Sequence, residues 1–294
     1  MVGISKEFAK QADLPWHLSM LSGFSSGYLV QGFLPGSPSI QNLLPCSILG
    51  TSASAGLGIG LITSAIGCVM WIFWIKHELK RCAGEGFLPT GAEIEKTFPD
   101  KSEGEDDYPN LFLALVPSIG MLLSLNLLKL QAVTAMLIGS LLAIILFWKR
   151  IGGLKKVLES VTQGIGNGSN AVLLLAACTG FGSVVASTTG YAAIVAKMTS
   201  MQGLGMYWQW LLSIAVCCAA CGSGSGGLGI VLNNMSGTFL AMGANPQVLH
   251  RLGTMACCTL DTLPHNSTVF NAIAVNKVDF KRGYRQIFVQ SCVM

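Results

Sequence analysis

The sequence predicts an all-α polytopic membrane protein whose helices are interrupted. Three observations predict it. The 294 residues are 51% hydrophobic and only 11% charged, with mean hydropathy +0.58. A soluble domain is about 25% charged, so this chain lacks the residues for a water-facing surface. Apolar runs near the ~20 residues that cross a bilayer recur along it. Finally, prolines and glycines sit with polar residues inside those runs, as at Leu34–Asn42 (LPGSPSIQN), Cys221–Asn234 (CGSGSGGLGIVLNN) and Cys257–Val275 (CCTLDTLPHNSTVFNAIAV).

Taken in order, seven or eight segments are expected. The first covers 16–33 and meets the irregular stretch after Leu34. A long apolar helix is expected over 52–75, then a charged loop over 76–109. Helices over 110–127 and 130–148 form a hairpin, and KRIGGLKKVLES opens a short amphipathic segment. Residues 171–198 are apolar but rich in Gly, Ser and Thr. A helix over 204–221 runs into GSGSGG, 228–243 continues it, 247–263 leads to the last polar cluster and 267–275 leaves it.

The acidic residues separate by location. Of fourteen, nine lie in 76–109, among them Glu78 and Glu85, where a solvated loop is the plain reading. Glu7, Asp13, Glu159 and Asp279 flank membrane segments, which leaves Asp261 inside an apolar run. A carboxylate there costs about 3 kcal/mol on insertion scales and marks a functional position by default. Asp261 and His265 are four apart and would share a face of a helix, where the pair can handle a proton; alternatively Asp261 caps a half-helix or pairs with Arg251. His250, His17 and His77 read as edge residues. Lys76, Lys80 and Arg81, with Lys149, Arg150, Lys155 and Lys156, place one side in the cytoplasm.

Each break has a physical cause. Pro35 and Pro264 remove a backbone hydrogen bond and clash with the preceding turn. Freed backbone groups in a bilayer need partners or a water-filled cavity, and Ser37, Gln41, Asn42 and Asn266 are placed to be partners or substrate ligands. Gly222, Gly224, Gly226 and Gly227 are poor helix material. A helix restarting at Gly227 would offer its N-terminal amides to an anion, with the Ser223 and Ser225 hydroxyls beside them; close helix packing through small residues is the other reading. Ala176–Gly190 (AACTGFGSVVASTTG) is a candidate for dipping into the membrane and returning, with Thr179, Ser183, Ser187, Thr188 and Thr189 facing polar space. LPGSPSIQN and LPHNSTVFN echo one another, which suggests two related halves of the kind transporters use, with substrate near the midplane.

Several chemistries are set aside. No P-loop pattern is present. Gly23–Gly27 matches the nucleophile elbow formally, but in an apolar helix rather than a strand–turn–helix. Cys218 and Cys221 have metal-site spacing without a second pair nearby, and the ten cysteines lie mostly inside apolar runs, where they pack. No basic stripe with interleaved aromatics suits nucleic acid. No catalytic group, metal or cofactor is expected.

GSGSGGLGIVL and LAMGANPQVLHRLGTMACCTLDTLPHNSTVFNAIAV resemble the C-terminal region of the gluconate:proton symporter family, within the ion transporter superfamily, and PGSPSIQNLLP resembles a more central segment. The resemblance spans essentially the whole chain and is strongest over 221–290. It implies inverted repeats with re-entrant hairpins, with residues 1–75 ending the first repeat and 110–294 forming the second. It implies symport of a sugar acid such as gluconate with protons across the bacterial inner membrane. Family members are longer, so their N-terminal part has no counterpart here. The expected partners are the organic anion, protons, the lipid bilayer and a second copy as a homodimer. Within the superfamily a sodium-coupled dicarboxylate carrier is the alternative; a membrane-embedded enzyme and a non-transporting fragment are the others.

Overall fold

The computed structural model describes residues 9, 14–18, 27–85, 109–190, 193 and 205–293. Among them there is no strand, and ten α-helices of nine residues or more carry the fold. These are α1 (Ile40–Leu49), α2 (Leu57–Gly84), α3 (Leu111–Asn126), α4 (Ala132–Leu146), α5 (Leu154–Ala186), α6 (Met206–Cys221), α7 (Gly224–Ala241), α8 (Pro246–Ala256), α9 (Ser267–Val275) and α10 (Phe280–Phe288). Short π-helical turns, Leu29–Phe33 and Val289–Val293, precede α1 and follow α10.

The packed centre is formed by α6, α7 and α8. Trp210, Ile214 and Cys218 of α6 meet Leu228, Val231, Leu232, Met235 and Phe239 of α7 and Leu249 of α8, all essentially inaccessible. Trp210 meets Phe239 edge-on, with ring centroids 5.1 Å apart, and its indole N–H donates to the Leu249 carbonyl at 2.9 Å. The glycines permit this density, because a Cβ on Gly227 would run into the backbone of Cys218. Helix α1 lies against α7 and α8, and the Leu29–Phe33 turn lies against α8 and α2. The α3–α4 hairpin closes through Gly139, where a Cβ would lie 3.0 Å from Met121 Cβ. It is tied to the first break by Asn126, whose Nδ2 donates to the Gly36 carbonyl at 3.0 Å.

Large apolar side chains on the outer helices point away from the protein. Phe73, Phe112, Leu127 and Ile145 are among the most exposed. A soluble monomer does not display apolar surface on this scale, whereas hydrocarbon matches it. Among the described residues one helix, α2 at 28 residues, is long and apolar enough to cross a membrane; α1, α3, α4 and α6 are shorter apolar helices.

Several elements differ from the sequence expectation. Helix α2 continues nine residues beyond 75, so Glu78 belongs to a helix and not to a loop. KRIGGLKKVLES does not open a short segment; from Leu154 it begins the 33-residue α5. That helix runs through Ala176–Ala186 without turning back, because a helix satisfies its own backbone hydrogen bonds where no water can. It ends in a turn at Ser187–Thr188, where Ser187, Thr188 and Thr189 are exposed. The side chains of Thr179 and Ser183, and Ser25, lie outside the described residues. Helix α7 restarts at Gly224 rather than Gly227, because Ser223 accepts the Gly226 N–H at 3.2 Å and caps it.

Candidate functional site at the helix breaks

All three expected interruptions are present. The first is a Leu34–Gly36 turn after the Leu29–Phe33 π-turn, with Ser39 capping α1. The second is Gly222, left-handed at φ +58°, between α6 and α7. The third runs from Cys257 to Asn266: a 3-10 turn at Leu260–Thr262, the Pro264 turn, and Asn266 capping α9 by accepting the Thr268 N–H at 2.6 Å. The Leu-Pro echo is imperfect in detail. Asn42 is the third residue of α1, whereas Asn271 is the fifth of α9.

The second and third breaks touch. A Cβ on Gly222 would lie 2.9 Å from His265 Cδ2, and one on Gly224 would lie 3.0 Å from Asp261 Oδ2 and 2.6 Å from the Cys257 carbonyl. The Asp261 carboxylate therefore sits at the first turn of α7, where the amides of Gly224 and Ser225 have no intrahelical acceptor. Its Oδ1 is shielded from solvent and has no hydrogen-bond partner among the described residues. His265 is exposed, and its Nε2 lies 2.8 Å from the Ala219 carbonyl at the end of α6. A carbonyl only accepts, so Nε2 carries the proton and Nδ1 is the free acceptor. No hydrogen bond joins Asp261 to His265, since Pro264 and the 3-10 turn remove the common helical face. Asp261 does not pair with Arg251 either.

The first break forms a separate cluster, about two turns back along α8 from Cys257. Arg251 and His250 are fully buried, not at an edge. Arg251 donates from Nε and Nη2 to the Ala55 carbonyl at 3.0 and 2.9 Å, and from Nη2 to Asn42 Oδ1 at 3.2 Å and the Ala53 carbonyl at 3.3 Å. Nη1 reaches the Gly32 carbonyl and Thr254 Oγ1, each at 3.4 Å. His250 bridges Thr51 and Asn42. A guanidinium held entirely by neutral oxygens is a clamp for irregular backbone, which in a bilayer has no water to satisfy it.

Several of the candidate ligands are committed to the backbone instead. Asn42 is inaccessible, and its Nδ2 donates to the carbonyls of Ser37 and Ala53 at 2.8 and 2.9 Å. Ser37 is buried, and its hydroxyl accepts the Ser39 N–H. The Asn266 amide caps α9 and donates to the Asp261 carbonyl at 2.6 Å. These three hold the breaks open. Gln41 and Ser225 are half-buried, and their side chains make no hydrogen bond among the described residues. The sequence reading missed His250 and Arg251 as structural polar residues. Their signal was present in the 247, 250, 251, 254 spacing, which puts Gln247, His250, Arg251 and Thr254 on one side of α8.

Glu78, expected in solvent, is completely buried. It accepts from Arg81 Nε and Nη2 at 3.2 and 3.0 Å, from Arg285 at 3.1 Å and from Gln286 Nε2 at 2.7 Å. Gln286 in turn accepts from the Trp74 indole at 2.9 Å. This network joins the end of α2 to α10. Among the described residues no cluster of His, Cys, Asp and Glu is arranged to hold a metal.

An apolar exterior around interrupted helices, with one carboxylate at a buried helix start, defines a helical membrane protein with a polar centre. Among curated proteins the chain is similar to the uncharacterized transporter YxjC of Bacillus subtilis, 27% identical over an alignment of 300 residues that covers 87% of this chain. The chain spans 62% of that relative's length. No family model and no solved structure matches it.

Proposed function

We propose that this chain serves a secondary active transporter that carries gluconate, or a related small hydroxy-monocarboxylate, together with a proton. The similarity to a protein named as a transporter supports the class. The observation that carries the coupling is the position of Asp261 against the first turn of α7. A helix N-terminus favours one anion. When ionised, Asp261 is that anion, and it repels a substrate carboxylate by roughly 4 kcal/mol at about 4 Å and an effective dielectric near 20. When protonated, it leaves the Gly224 and Ser225 amides, with the run through Gly226 and Gly227 behind them, to the substrate. Proton and anion then bind together, a positive coupling that each ligand exerts on the other. Ser223, Ser225 and Gln41 supply groups for substrate hydroxyls, and the free Nδ1 of His265 passes the proton to the water-filled side. Ser37, Asn42 and Asn266 position the backbone, and Thr179 is proposed at the same polar face of the membrane interior.

The test is uptake of labelled gluconate into vesicles reconstituted with this chain under an imposed pH gradient. Accumulation is expected and collapses with the gradient. Asp261→Asn is expected to retain gluconate exchange between the two sides while losing gradient-driven accumulation. Uptake indifferent to the gradient ends the proton claim, and absence of any saturable gluconate binding ends the substrate claim.

A further inference from the structure

Four cations crowd the corner between α4 and α5. Lys149 and Arg150 belong to the short helical turn Trp148–Ile151, and Lys155 and Lys156 are the second and third residues of α5. Gly152 and Gly153, left-handed at φ +80° and +102°, make the corner itself. A Cβ on Gly152 would lie 3.3 Å from Lys156 Nζ. That side chain therefore folds back over the corner, towards the turn that carries Lys149 and Arg150, instead of extending into water.

The three lysines have no counter-charge among the described residues, where the ion pairs join Arg81 and Arg285 to Glu78 and Glu85. Glu159 follows Lys155 by four residues, one helical turn, yet forms no ion pair with it. The first turn of α5 holds no acid, although a helix start favours negative charge and disfavours lysine. Like charges gathered at a site that is already positive call for an anion from outside the protein.

The surface beside these cations is apolar. Ile144, Ile145 and Trp148 line an open groove together with Lys149 and Arg150. Ile145 and Trp148 are exposed, so the groove continues the apolar exterior of α4. Tryptophan beside lysine and arginine is the composition of a membrane–water boundary. A soluble anion would meet the cations and leave the groove bare, whereas an acyl chain beneath an anionic head fills both.

We propose that this corner binds one anionic phospholipid, with its phosphate among Lys149, Arg150, Lys155 and Lys156 and an acyl chain along Ile144, Ile145 and Trp148. A zwitterionic lipid brings its own ammonium next to the phosphate and gains less from the four cations. The site shares no residue with the helix breaks, and the inference is independent of the transport reading.

The test is native mass spectrometry of the chain in detergent, titrated with phosphatidylglycerol or phosphatidylcholine of equal chain length. The first phosphatidylglycerol is expected to bind saturably and more than about twenty-fold tighter than phosphatidylcholine, and each of Lys155→Gln and Lys156→Gln weakens it about five-fold. Both lysines are exposed, so these variants fold as the parent does. Lys76→Gln with Lys80→Gln, at the end of α2, leaves this first binding unchanged. Phosphatidylglycerol brominated on its chains quenches Trp148, read as the quenching lost in Trp148→Phe. Equal binding of the two lipids, binding unchanged when both α5 lysines are replaced or weakened as much by the α2 pair, displacement by inorganic phosphate, or quenching unaffected by Trp148→Phe would overturn the proposal.

Discussion

Replacing Arg251 by methionine tests whether the buried guanidinium is a backbone clamp or a ligand for the anion. Methionine keeps the length and apolar stem and removes every donor. The oxygens it leaves are not equally harmed. Ala53 O keeps the Gly36 N–H and Asn42 Nδ2, both at 2.9 Å. Gly32 O keeps Thr254 Oγ1 at 2.7 Å, and Asn42 Oδ1 keeps His250. Ala55 O alone loses the two short bonds that hold it. One stranded buried carbonyl costs about 1–3 kcal/mol. The weaker contacts add to this, and relief of an unpaired buried cation subtracts from it. A net loss of about 3 kcal/mol is expected, well under a sum over all six contacts. The assay is thermal unfolding of the purified variant in detergent, with a fall of roughly 6–12 °C expected from the size scaling. Gluconate binding by the surviving folded fraction should be unchanged. A variant as stable as the parent that has lost gluconate binding would refute the clamp and make Arg251 the substrate's cation.

Two further perturbations test other parts of the fold. Gly222→Val should destabilise by more than 2 kcal/mol, since it adds the left-handed penalty for a β-branched residue to a clash with His265, and it should disturb gluconate binding because it separates α7 from the Pro264 break; normal melting and normal binding together would contradict the contact. Glu78→Gln should cost about 2 kcal/mol in thermal unfolding. The arginines, 30% and 41% exposed, can turn to solvent, so the full penalty of a broken buried pair is not reached; a double variant with Arg285→Gln no worse than Glu78→Gln alone is expected if the two groups are coupled.

Much of the helical layout was legible because its causes are local. Helix α9 occupies 267–275 as expected, and α3 and α4 fall within two residues of their predicted limits. Pro35 and Gly222 each follow the end of a helical segment, because a missing N–H or a left-handed φ acts on its own turn; Pro264 lies inside its break, and α8 stops at Ala256, seven residues short of the expected 263. The breaks at Pro35, Gly222–Gly227 and Pro264 are expected from the sequence to share one pocket; the second and third touch, whereas the first is gathered around Arg251. What failed was the assignment of polar side chains to solvent, substrate or protein. Glu78 looked like one acid in a charged stretch, and its burial depends on Arg285 and Gln286, more than two hundred residues away. Asn42 looked like a substrate ligand, but His250 and Arg251 consume its oxygen. The expected dip in Ala176–Gly190 failed differently: glycines and threonines lower helix propensity without forbidding the helix, and α5 carries on through them.

The sequence by itself determined that this is an apolar, helical chain, that it is interrupted at three places, and that Asp261 is the acid within an apolar run. Only the tertiary structure decided that Asp261 meets the first turn of α7 while Arg251 is spent on the backbone at Ala53 and Ala55, some two hundred positions distant. The division follows from range: helix breaking is settled by the dihedrals of one or two residues, whereas hydrogen-bond saturation and burial depend on which distant segments pack together.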